Sequence, residues 1–136
     1  MSPESTSTAL LQPILHALTM SLNGLEESVC LYNDGTLVAY DEIVSPGHQG
    51  LPGLTEFVNL AQRICHTLAY RDTQEAMIRG RKRFIAFYRV NEHYILGVIG
   101  RSTIHTGLLS MACRRTVAQL QNAVTTTQAT IEPVAE

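Results

Sequence analysis

The sequence predicts one domain of the α/β class, α+β in type, with its elements in the order α-β-β-α-β-β-β-α. Three observations carry this: two β-favouring runs flanking Asn33-Asp34-Gly35, three stretches with apolar residues at helical spacing, and two later runs that are apolar on both faces. With 136 residues, 45% hydrophobic and 16% charged, the chain has the size of one ordinary domain able to enclose a core.

Leu11, Ile14, Leu15, Leu18 and Leu22 recur at helical spacing, and Pro13 is tolerated near a helix start, so a first helix is expected from about Gln12 to Asn23, ended by Gly24. Ser28–Tyr32 and Thr36–Tyr40 then form a hairpin in which Gly35 supplies the positive φ of a tight turn. Ser45–Gly53 holds three Gly and two Pro and is expected to be an exposed irregular loop without phosphate-cradling order.

A second helix is expected over Thr55–Arg71. Phe57, Val58, Leu60, Ala61, Ile64, Cys65, Leu68 and Ala69 cover about half its circumference at 3.6 residues per turn, more than packing on one side requires. The excess predicts a second contact surface that faces out of the domain. Three strands follow, Gln74–Lys82, Phe84–Val90 and Tyr94–Gly100. The last two, apolar on both faces, call for helices on both sides of the sheet. The first, with Glu75, Arg79, Arg81 and Lys82, has the polarity of an edge strand. Leu109, Ala112, Cys113, Thr116, Val117, Leu120 and Val124 line one side of a third helix. Residues 9–124 are read as the domain, and 1–8 and 125–136 as polar tails.

The net charge of −2 hides a division: residues 1–62 carry −7, with no Lys or Arg, and residues 63–136 carry +5. Met1-Ser2-Pro3-Glu4 offers neither a basic n-region nor an apolar h-region, and no run of about 18 apolar residues occurs, so a cytoplasmic protein without a membrane span is expected. The cysteines, Cys30, Cys65 and Cys113, lie in apolar stretches without CxxC spacing, which argues against a disulfide framework or a zinc site.

Leu22-Asn-Gly-Leu-Glu-Glu-Ser-Val29 leading into a strand, then Asn33-Asp-Gly35, and later Gly107 followed by Arg115-x-x-x-Gln119-Leu120 resemble the Roadblock dynein light-chain family over nearly the whole domain. The resemblance implies a five-stranded antiparallel sheet with the middle helix on one face and the terminal helices on the other. It also implies a dimer, with this chain or a paralogous Roadblock chain, in which sheets join edge to edge through the third strand and middle helices pack together. Members serve as dynein accessory chains, scaffold subunits and partners or activators of small Ras-like GTPases, usually without a catalytic site. The expected interface is Phe57, Leu60, Ala61, Ile64 and Leu68 on the helix with Met77, Arg79 and Arg81 on the strand. The Ser45–Gly53 loop departs from the family pattern in its length.

No catalytic, cofactor-binding or metal-ligating set is expected. Cys65 and His66 point about 100° apart on a helix, and the five histidines show no HxxxH or HxH spacing. Arg79-Gly80-Arg81-Lys82-Arg83 is the one concentrated basic patch. It lacks interleaved aromatics in an acidic chain, which fits a protected edge better than nucleic-acid binding. The alternative reading is a PAS- or GAF-like ligand sensor. It requires an internal pocket, which the bulky Phe84, Phe87, Tyr88, Tyr94 and Ile95 argue against.

Overall fold

The structure is a computed structural model that describes residues 3–42, 50–68 and 73–131. The elements are α1 (Pro3–Ser21), β1 (Leu25–Tyr32), β2 (Leu37–Glu42), α2 (Leu51–Thr67), β3 (Glu75–Arg79), β4 (Arg83–Arg89), β5 (Tyr94–Arg101) and α3 (Thr106–Ile131), in the expected order. The five strands form one antiparallel sheet ordered β2-β1-β5-β4-β3, so β2 and β3 are its edges.

The sheet separates two cores. On one face, Leu11, Leu15 and Leu18 of α1 and Leu109, Cys113 and Leu120 of α3 pack on Cys30, Phe84, Ala86, Leu96 and Val98. On the other, Leu54, Val58 and Ala61 of α2 pack on Val29, Leu31, Phe87, Ile95 and Ile99. Strand β5 runs through the middle, and both its faces are buried, as its doubly apolar sequence requires. Phe84, Phe87, Ile95 and Leu96 are fully buried and fill the space between sheet and helices.

The β1–β2 turn is the one expected. Tyr32 N–H donates to the Thr36 carbonyl at 2.8 Å, and Gly35 sits at φ 92°, where a side chain would be strained. The Asp34 carboxylate accepts from Thr36 N–H at 3.0 Å and Thr36 Oγ1 at 2.7 Å, and these bonds lower its pKa.

Several boundaries differ from expectation. Helix α1 begins at Pro3, not near Gln12, so Pro13 lies within it and forfeits one helical hydrogen bond. The fully buried Leu11 and Leu15 on either side of it hold that helix against the sheet, and their packing outweighs the local defect. Helix α3 runs on to Ile131, past Val124. Of the expected loop Ser45–Gly53, residues 45–49 lie outside the described residues, and 51–53 form the first turn of α2. Pro52 is at home there because the N–H it lacks would have no helical partner. Strand β1 starts at Leu25 and so takes in Glu26 and Glu27 across an irregularity in its pairing with β5. Glu26 is buried, and Arg83 Nε reaches its carboxylate at 3.4 Å. That contact lies within one chain.

Candidate interaction surface on α2 and β3

Helix α2 approaches the sheet closely because β5 carries Gly97 beneath it: a Cβ there would overlap Leu54 Cδ2. Leu54, Val58 and Ala61 face the sheet. The flanks of the helix are set by two further contacts. On one side Gln62 Nε2 donates to the Asn33 carbonyl in the β1–β2 turn at 2.9 Å. On the other, Phe57 stands edge-on to Phe87 of β4, with ring centroids 5.3 Å apart. At 100° per residue, Leu60, Ile64 and Leu68 fall on the Phe57 flank, toward β4 and the β3 edge.

That flank is apolar and open to solvent. Leu60, Ile64 and Leu68 are 44%, 49% and 54% exposed and recur every four residues, forming a ridge about 12 Å long. The opposite flank is polar: Asn33, Thr55, Asn59, Gln62, Arg63 and His66 line an open concavity of about 1010 Å³.

Strand β3 continues the apolar flank, through residues the sequence pattern does not single out. Its register against β4 pairs Ala76 with Phe87 and Ile78 with Ile85, which places Ala76 and Ile78 on the α2 face. Glu75, Met77 and Arg79 pair with Tyr88, Ala86 and Phe84 and so belong to the α1/α3 face. Ile78 is 52% exposed, and Met77, 37% exposed, lines a groove of about 320 Å³ with Tyr88, Thr106 and Ser110. The strand also ends sooner than expected. Arg81 lies in the β3–β4 turn, where its carbonyl accepts from Ser102 Oγ at 2.8 Å and the Lys82 carbonyl accepts from Ser102 N–H at 2.9 Å. A tight turn over Gly80–Arg83 would have been the signal for this register, since it sets which residues of β3 and β4 share a face.

The remaining candidates for chemistry stay apart. Cys30 and Cys113 are buried, and burial pushes each thiol up to about 12, far from a nucleophilic thiolate. Cys65 is half-buried and accepts a hydrogen bond from Thr73 Oγ1 at 3.0 Å. Among the described residues, no three His, Cys, Asp or Glu side chains are grouped to hold a metal ion, and no helix is long and apolar enough to cross a membrane.

No protein-family model matches the chain, and no curated protein matches it. Solved structures do. A structure of the gliding protein MglB from Thermus thermophilus superposes with a TM-score of 0.71 at 16% identity, covering 90% of this chain and 91% of that one. MglB in a tetrameric arrangement gives 0.74 at 17% identity, covering 93% of each chain. A Roadblock/LC7 domain from Streptomyces avermitilis gives 0.73 at 11% identity, covering 85% of this chain and 98% of that one. The sheet order, the placement of one helix against two, and these superpositions give this chain a Roadblock-like fold.

Proposed function

We propose that this chain is a dimerising, non-catalytic interaction module of the cytoplasm that regulates or scaffolds a small Ras-like GTPase or a larger multi-subunit assembly. The observation that carries the dimer is the exposed ridge of Leu60, Ile64 and Leu68 continued by Ile78 on an edge strand. Ordinary surface packing leaves single apolar residues exposed, whereas a run of large ones beside an unpaired strand edge marks a surface that another chain covers. A second copy fits because it presents the same ridge and the same edge, and a two-fold axis brings like to like. A paralogous chain of the same fold would present a comparable edge. One MglB structure with this fold has a tetrameric arrangement, which supports self-association here. The GTPase part of the reading rests on the resemblance to the Roadblock family.

Affinity capture from the native cell, with wild type and Ile64→Glu side by side, tests the reading. A Ras-like GTPase retained by wild type, with its retention changed by GTP against GDP, supports it. A dimer that retains no GTPase in either nucleotide state removes the GTPase partner and leaves a scaffold dimer.

A further inference from the structure

The free edge of β3 has its own pattern of charge and hydrogen-bonding groups. Gly80 N–H donates to the Arg83 carbonyl, and Arg89 N–H to the Gln74 carbonyl. In an antiparallel ladder these bonds alternate, so the even-numbered residues of β3 bond to β4 and the odd-numbered ones, Glu75, Met77 and Arg79, turn their N–H and C=O groups to the open edge. Along that edge the strand reads Glu75-Ala-Met-Ile-Arg79, an acid at one end and a base at the other, with Met77 at the centre.

We infer that two copies pair antiparallel through β3 with the two-fold axis at Met77, so that Glu75 of each chain faces the partner's Arg79. The inference rests on the self-pairing proposed above and specifies its register. Three constraints select it. A two-fold axis perpendicular to a continuous sheet keeps α2 of both copies on one face, so only residues of like parity can be opposite. Among the registers that remain, the Met77-centred one uses the outward N–H and C=O groups of all three odd residues. Moving the axis to Ala76 or Ile78 leaves one of them facing a position outside the strand. The charges agree: centring on Met77 sets Glu75 against Arg79 twice, and centring on Ala76 sets Glu75 against Met77. Centring on Ile78 sets Met77 against Arg79 and needs Arg81, whose carbonyl is held by Ser102 in the turn.

The same register places Ala76 opposite the partner's Ile78 on the α2 face, beside the Leu60 and Ile64 ridge, so apolar pairs and charged pairs fall on opposite faces of the joined sheet. Among the described residues, Glu75 makes a 3.5 Å contact with the exposed Arg114, and Arg79 Nη2 a 3.4 Å bond to the Ile104 carbonyl. Both are long, and neither holds its side chain away from the edge.

The test uses the full chain carrying Cys65→Ser, with Met77→Cys, Ala76→Cys or Ile78→Cys added singly and oxidised glutathione as the oxidant. Hydrogen-bonded partners in an antiparallel pair sit about 5.5 Å apart at Cα, within disulfide reach, and positions offset by two residues about 7–8 Å apart, beyond it. Met77→Cys is therefore expected to cross-link fastest. Glu75→Arg and Arg79→Glu are each expected to weaken the dimer about tenfold, and the double reversal to restore it. Faster cross-linking at 76 or 78, or a double reversal no better than the single changes, overturns the register while the dimer stands. A wild-type chain that is monomeric by light scattering overturns the dimer and the register together.

Discussion

Replacing Ile64 by Glu separates the stability of the chain from its association. Ile64 is 49% exposed on the outer flank of α2, so within one chain the carboxylate reaches water and folding stability falls by about 1 kcal/mol, the worth of the half already buried. In the dimer the account differs. Complete burial of an Ile side chain stabilises by about 1.5–3 kcal/mol, so covering the exposed half contributes about 1 kcal/mol per copy and about 2 kcal/mol for two. A carboxylate buried there without a partner adds at least about 1 kcal/mol per copy. The total is about 4 kcal/mol or more, close to a thousandfold in the dissociation constant. Light scattering over a concentration series should show wild type moving toward twice the 15.0 kDa chain mass while the variant stays at the chain mass. Urea unfolding should place the variant within about 1 kcal/mol of dissociated wild type, far less than the loss in association. Arg63→Ala, on the exposed side of α2 that faces neither sheet nor ridge, should leave association unchanged. A folded Ile64→Glu chain with wild-type concentration dependence would refute burial of the α2 ridge.

Two further predictions concern the scaffold that presents this surface. Gly97→Ala places a methyl against Leu54 and should cost about 1–3 kcal/mol in urea unfolding; adding Leu54→Ala should cost less than the sum of the two single changes, because the second opens room for the first. Alkali should destabilise the fold: the thiols of Cys30 and Cys113 are pushed up to about 12 in the folded chain, so an unfolded chain with ordinary thiols ionises first, and stability falls from about pH 9 upward by roughly 1.4 kcal/mol per pH unit for each. Denaturation at pH 8 and pH 10 should differ by about 2–3 kcal/mol, with the difference roughly halved by Cys113→Ala; equal stability at both would show that the thiols do not titrate as buried groups.

The order of elements, the Asn33-Asp34-Gly35 hairpin, the edge position of β3 and the apolar excess of α2 can all be read from the amino-acid order. Each depends on local information: a turn residue that tolerates positive φ, or the fit of apolar residues to a period of 3.6 or 2. The apolar flank of α2 was legible for the same reason, because Phe57, Leu60, Ile64 and Leu68 share it through helical spacing alone, whereas Ala61, expected with them at an interface, packs against the sheet. On β3 the period failed. Ala76, Met77 and Ile78 are apolar in succession, so no alternation says which of them faces α2. Only pairing with β4 decided it, by setting Ile78 against Ile85 and Met77 against Ala86. Tertiary contacts likewise ended β3 at Arg79, where Ser102, arriving from the end of β5, takes up the carbonyls of Arg81 and Lys82. They also drew Glu26 into a buried strand position beside Arg83, and held α1 helical through Pro13 by packing Leu11 and Leu15 on the sheet. In each of these cases the deciding partner lies far along the chain, and no residue's own propensity or spacing records where such a partner will come to rest.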